Sequence, residues 1–264
     1  FTLKVYYPND LQPQETEILR FEDRETGDCT VQPHFDYPHA YLADLPSKLT
    51  ATGVGRGYRA DEAAEETPPP RKEVQLRAPL FEQGEKKLTP AEIGTAHHLF
   101  MQFCGFDAAC APNGVENELN RLAEKKILST EQAHAVDKRK IERFFASDLY
   151  KTFMAENKVR REFKFSVLVP AQAYFPVAAD APEENVLLQG VIDCLIETRD
   201  GFVILDFKTD RIKKGGAVER AEQYRPQLAA YARAVHEIYG RPVRACVLYF
   251  FHTGDTEWVS LDED

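Results

Sequence analysis

Two aspartates and a lysine carry the most suggestive spacing in the chain: Asp193 closing Gly190-Val-Ile-Asp193, then Asp206 and Lys208 in Asp206-Phe-Lys208. Between them lies Arg199-Asp200-Gly201, a strong hairpin signal. With Asp200 and Gly201 as the two loop residues, Asp193 falls opposite Lys208 and Leu195 opposite Asp206. Side chains alternate along a strand, so Asp193, Asp206 and Lys208 are expected on one face of the hairpin. The surrounding strands are apolar, and charges set among apolar residues are costly unless paired or bound to metal. Spacing alone leaves two readings open. One is an edge-strand salt bridge. The other is a divalent cation held by two hard oxygen ligands with Lys208 beside it. Mg²⁺ takes few carboxylates and completes its shell with water and phosphate oxygens, so the second reading points to phosphodiester hydrolysis.

The elements that must position these groups are legible in outline. A helix begins at Thr89-Pro-Ala-Glu92, where Thr89 can cap, Pro90 suits the first helical position and Glu92 completes a capping box. On it, His97 shares a face with Ile93, Phe100 and Cys104, which predicts a packed histidine. His98 lies with Gly94, whose missing side chain would let a metal and a DNA backbone approach. Helical patterns continue through 117–126 and 129–157, and strand-like periodicity follows at 162–169. The hairpin strands are expected at 186–197 and 202–208, a helix at 218–239, and strands at 243–251 and 257–261. Helix, three strands, helix and strand make an α/β arrangement, a central mixed β-sheet flanked by helices. Gln227 and Tyr231 stand one turn apart on the later helix.

Gly190-Val-Ile-Asp193 followed by Asp206-Phe-Lys208 resembles the signature of the PD-(D/E)xK nucleases, in the form used by their RecB-like members. The resemblance implies a restriction-endonuclease-like core. It also implies Mg²⁺, with Mn²⁺ able to substitute, held by His98, Asp193, Asp206 and the carbonyl of Phe207, with Lys208 catalytic. The family's G-x-x-x-H spacing selects His98 over His97; with the register one residue off, the two would exchange roles. Its Q-x-x-x-Y is matched by Gln227 and Tyr231, and Arg161-Glu162-Phe163 is similar to its short Glu-bearing strand. Pro46-Ser-Lys-Leu49, Leu88-Thr-Pro-Ala-Glu92 and Ile141-Glu-Arg-Phe-Phe-Ala-Ser147 narrow the resemblance. They are similar, in consistent order, to the nuclease region of the AddA chains of bacterial AddAB helicase–nucleases.

That resemblance implies a deoxyribonuclease of exonuclease type, acting on single-stranded DNA from duplex unwound by a linked helicase. Its setting would be double-strand-break repair and recombination in the cytoplasm, with an AddB-type partner subunit. Residues 1–45 would then end the helicase portion or connect to it, 46–88 would be a linker, and 89–264 the nuclease domain. No G-x-x-x-x-G-K-[ST] occurs, so ATP would be used only by a helicase part outside this chain. An inactive nuclease-fold module for DNA binding or subunit docking is the alternative from a different class.

Composition bounds these readings. The 33 Lys and Arg against 43 Asp and Glu give a net charge of −10, which argues against a protein that coats nucleic acid nonspecifically. Much of the acidic excess lies away from the hairpin, in 10–25, 61–66 and 255–264. Residues 138–164 hold nine Lys and Arg against four acids, and Lys213-Lys214-Gly215-Gly216 is a basic loop placed to track a DNA backbone. Weak nonspecific DNA binding by this chain alone is therefore expected. The five Cys are thinly spread with no C-x-x-C, which predicts inert thiols and no zinc or iron–sulfur site. No apolar run approaches the ~20 residues needed to span a bilayer, so no membrane is expected among the partners. The start at Phe1 reads as a piece cut from a longer protein.

Overall fold

In the computed structural model, which describes residues 40–43, 45–54 and 88–261, the charged hairpin sits inside a mixed six-stranded sheet. Expectations placed on residues 1–39 and 55–87 lie outside the described residues. The strands are β1 (Lys48–Thr50), β2 (Lys158–Pro170), β3 (Asn185–Thr198), β4 (Gly201–Lys208), β5 (Val243–Phe250) and β6 (Thr256–Val259). The helices are α1 (Pro90–Phe103), α2 (Phe106–Cys110), α3 (Gly114–Glu124), α4 (Thr130–Ala135), α5 (Lys138–Ala146) and α6 (Ala217–Tyr239).

The pairing around β3 creates the opening that matters for function. Antiparallel β2 runs along one whole side of β3, from Lys158↔Glu197 to Pro170↔Asn185. A strand has two sides, so β1 and β4 share the other. β1 pairs there in parallel at residues 187–189, and β4 antiparallel at 194–198. Residues 190–193, the Gly-Val-Ile-Asp stretch, have no strand on that side, and the sheet is split there. Residues 48–50, expected as the start of a linker, are thus a strand: the buried Leu49 docks beside Leu188.

The hairpin register differs from expectation. Arg199 and Asp200 form the turn, and Gly201 is already in β4, paired with Thr198. Gly201 has φ 149°, and a Cβ there would lie 2.3 Å from the carbonyl oxygen of Pro242. The neighbouring Phe202 N–H donates to that same oxygen at 2.9 Å. Glycine is therefore required where β4 passes β5, not inside the turn. The strands slide by two residues, so continuing the register past Cys194↔Leu205 sets Asp193 opposite Asp206, not Lys208. An even slide preserves which face each side chain takes, so the three charged residues still converge.

Alternation breaks once. Val186, Leu188 and Ile192 belong to the core cluster under α6, and so does Leu195, whereas Cys194 and Ile196 belong to the cluster under α1–α5. On β2 the matching break falls at Glu162, which has φ 49° and faces Asp193 across the ladder. Arg161 before it reaches α1, donating to the carbonyls of Met101 (2.9 Å) and Cys104 (2.6 Å), while Phe165 after it packs under α6. Irregular rungs of this kind re-aim side chains next to active sites.

Elsewhere the local signals hold. Thr89 accepts from the Glu92 N–H (3.3 Å) and its own N–H donates to Glu92 (2.7 Å), the expected capping box. β2 starts four residues before the expected 162: the basic residues 158–161 pair with the end of β3, where Glu197 lies within 3.8 Å of Lys158 and 3.4 Å of Arg160. Phe144 of α5, fully buried, packs edge-on against Phe207 and Tyr249 and ties the helical layer to the sheet. Cys104, Cys194 and Cys246 are buried and Cys110 exposed, all as free thiols.

Candidate active site

The site forms at the C-terminal end of β4, where the split in the sheet meets α1 and α6. Asp193, Asp206, Phe207, Lys208, His98, Gln227 and Tyr231 all line one cleft of about 290 Å³. Three different segments thus deliver the residues singled out from sequence, with Asp193 contributed by β3 at the irregular rung.

Asp193 is fixed from two sides. The Phe207 N–H donates to its Oδ2 at 2.7 Å, and His98 Nδ1 lies 3.3 Å from its Oδ1. Asp206 is only 4% exposed, and its Oδ2 lies 2.6 Å from Lys208 Nζ yet accepts no well-directed hydrogen bond. Lys208 Nζ also donates to Gln227 Oε1 at 3.1 Å, and Gln227 Nε2 donates to the Tyr231 hydroxyl at 2.8 Å. The ammonium sits 3.8 Å from the centre of the Tyr224 ring, a cation–π contact. Tyr224 is held in turn: its hydroxyl donates to Asp210, and Arg220 reaches Asp210 (3.2 Å) and the Tyr224 hydroxyl (3.2 Å).

The electrostatics follow from packing two carboxylates into one poorly solvated cleft. Burial raises the pKa of Asp206; Lys208 opposes this, but the Asp193 charge adds to it and the net shift is upward. For His98, burial works against the charged ring, but the Asp193 hydrogen bond and the two aspartate charges prevail and raise its pKa. Glu162, opposite Asp193, is also raised, by burial first and then by the Asp193 charge. The site therefore carries surplus negative charge, offset in the structure by Lys208 and His98.

A divalent cation is what such a site calls for. The donor chemistry fits: two carboxylates, an imidazole and the Phe207 carbonyl are hard or borderline ligands, and a buried Asp206 oxygen without a hydrogen bond is an acceptor awaiting a partner. Among the described residues no three His, Cys, Asp or Glu side chains are already gathered as a ligand set; the positive charge at Asp206 comes from Lys208.

The two histidines separate clearly. His97 is 3% exposed; its Nδ1 donates to the Ile93 carbonyl (2.8 Å) and its Nε2 accepts from the Asp137 N–H (3.2 Å). Burial lowers its pKa, so it is a neutral packed ring with both nitrogens engaged. His98 alone faces the aspartates. The expected role of Gly94 needs correction: a Cβ there would lie 2.8 Å from Thr209 Oγ1, so the missing side chain admits Thr209, not a ligand. Lys213 and Lys214 are exposed on the turn before α6 and do not line the cleft.

The sequence reading passed over Tyr224 and Asp210 as supports of Lys208. A signal existed: Tyr224 precedes Gln227 by three residues on one helix, so both reach the same ammonium.

Comparison with known proteins agrees with this geometry. The family model described as the PD-(D/E)XK nuclease superfamily matches residues 71–260. The chain is 40% identical over 239 residues to the AddA-type chain of an ATP-dependent helicase/nuclease from Moorella thermoacetica, covering 87% of this chain and 17% of that protein. Proteins of the same name in Desulforamulus reducens (38% over 223 residues; 83% of this chain, 18% of that one) and Desulforudis audaxviator (35% over 224 residues; 84% and 18%) are similarly related. The chain spans less than a fifth of the length of these relatives.

Proposed function

The chain belongs to the PD-(D/E)XK nuclease superfamily, and from that premise we propose that it hydrolyses phosphodiester bonds of single-stranded DNA with Mg²⁺ as cofactor. We propose further that it works beside a helicase motor, with an AddB-type partner, in cytoplasmic double-strand-break repair. The relatives named as helicase/nuclease chains support that setting. Among the described residues no helix is long and apolar enough to cross a membrane. Residues 1–45 would connect to the motor and 89–264 form the catalytic domain, with β1 from the intervening segment built into its sheet.

One observation carries the catalytic reading. Asp193, Asp206 and Lys208 from the hairpin, His98 from α1, and Gln227 with Tyr231 from α6 meet in one cleft although 133 positions separate His98 from Tyr231. His98, Asp193, Asp206 and the Phe207 carbonyl would hold the cation. When bound, it supplies Lewis-acid polarisation of the scissile phosphate and acidifies a water.

The chain's own residues do the rest. The Phe207 N–H and His98 hold Asp193 in one orientation, so its carboxylate is placed before substrate arrives. Lys208 presents a fixed ammonium where negative charge develops on the phosphate oxygens, and a pre-aimed charge acts without reorganisation. Gln227 aims that ammonium and Tyr231 aims Gln227.

The test is cleavage of end-labelled single-stranded DNA by wild type, Asp193→Ala and Lys208→Ala, with Mg²⁺ and with chelator. Wild-type cleavage with Mg²⁺, abolished in both variants and by chelation, is expected. Mg²⁺-dependent cleavage persisting in either variant would sink the assignment. A folded full-length wild type that binds DNA but never cleaves would support the inactive module instead.

A further inference from the structure

The split in the sheet does not end at the catalytic residues. A second cleft of about 430 Å³ adjoins the first and shares Thr52, Val191 and Tyr231 with it. It runs past Gly190 toward Lys164 on β2. Gly190 keeps it open in a specific way: a Cβ there would lie 2.6 Å from the Phe165 ring, so only glycine lets that ring pass beneath β3 as an apolar floor. Above the floor are polar groups. The Gln189 amide is oriented by donating to Ser166 Oγ at 2.9 Å, and Thr50 stands across from it on β1.

Charge distinguishes the two clefts. The catalytic one is lined by Asp193, Asp206 and Asp210, whereas the charged residue lining its neighbour is Lys164. Other members of the basic stretch 138–164 are committed elsewhere: Lys138 to Glu116, Arg143 to the Phe251 carbonyl, Arg160 to Glu197, Arg161 to the end of α1. Lys164 is exposed and makes no ion pair among the described residues. An apolar floor, a polar rim and the Lys164 ammonium, continuous with a phosphodiester-cleaving centre, match the chemistry of a sugar–phosphate unit.

We propose that this second cleft is a subsite for the nucleotide adjoining the scissile bond, with Lys164 on its phosphate. The inference rests on the nuclease reading and extends it, because it says which way the strand leaves the catalytic centre: along the split between β1 and β2, over Gly190.

The experiment uses the full-length protein with labelled single-stranded oligonucleotides. Lys164→Ala should raise KM about three- to tenfold with kcat within about twofold, as loss of one phosphate contact does. Binding measured in chelator should lose about 0.7 from the slope of log affinity against log salt, and Lys164→Arg should restore slope and KM. A neutral methylphosphonate, walked through the phosphates on both sides of the scissile bond, should weaken wild type at one position and leave Lys164→Ala unaffected there. An unchanged KM and salt slope would overturn the subsite. So would a fall in kcat alone, which would place the Lys164 charge on the centre through nearby Glu162. If wild type fails to cleave, or Asp193→Ala still cleaves, the nuclease reading falls, while the chelator binding arms still judge the cleft.

Discussion

Asp206→Asn should make the metal-free protein more stable while making it inactive. Asp206 is 4% exposed, faces the second carboxylate of Asp193, and has a buried oxygen without a hydrogen bond. Its raised pKa states that the fold, Lys208 included, favours the neutral form. An amide of the same shape removes the disfavoured charge and still offers Lys208 an oxygen. An unsatisfied buried acceptor costs ~1–3 kcal/mol, so a gain of about 1 kcal/mol is expected at neutral pH, some 2–4 °C in Tm for a domain of this size. The folded state holds the Asp206 proton more tightly than the unfolded chain does. In the window above the ordinary carboxylate range the unfolded state therefore binds fewer protons, and wild-type stability falls as pH rises through it. That part of the pH dependence should vanish in Asp206→Asn. Divalent cation reverses the ranking: at a hundred times its Kd it should stabilise wild type by about 2.7 kcal/mol and the variant far less. Thermal unfolding in chelator and in Mg²⁺, across pH 4.5–8, reads all three effects. Equal metal-induced shifts in the two proteins, or a metal-free variant destabilised by more than about 1 kcal/mol, would refute the reasoning.

Three further outcomes are expected. His98→Ala should abolish cleavage with little change in Tm, whereas His97→Ala should leave the Asp137 N–H without its acceptor, cost about 1–3 kcal/mol and retain activity below its Tm; the opposite pattern would show that the histidines have exchanged roles. Tyr224→Leu should lower kcat roughly two- to thirtyfold by removing a cation–π contact of about 0.5–2 kcal/mol from Lys208, and Tyr224→Phe, which keeps the ring, should stay within about threefold of wild type in the same assay. Arg161→Ala should cost about 2 kcal/mol in denaturant unfolding, because the carbonyls of Met101 and Cys104 lose a charged donor and the guanidinium leaves its place 4.5 Å above the Phe106 ring.

From the sequence alone, the chemistry was legible because it sits in short-range pattern. Apolar strands around two acids and a lysine, a turn between them, and Gln and Tyr one helical turn apart are local facts, and local facts survive folding. Even the face shared by Asp193, Asp206 and Lys208 was correct, since alternation depends on parity and the register error was even. The capping box of α1 was equally local.

Only the tertiary structure decided the rest, because it depends on which strand lies beside which. The register was set by Gly201 passing Pro242, a contact over 40 residues away in the chain. The irregular rung at Glu162 and Asp193 exists only because β2 and β3 break alternation together. The space beside Gly94 went to Thr209, and the charge beside the cleft came from Lys164 and not from the Lys213–Lys214 turn, since proximity across the sheet outranks proximity along the chain. The split that opens the site arises from β1 and β4 sharing one side of β3, a consequence of topology that no run of residues encodes by itself.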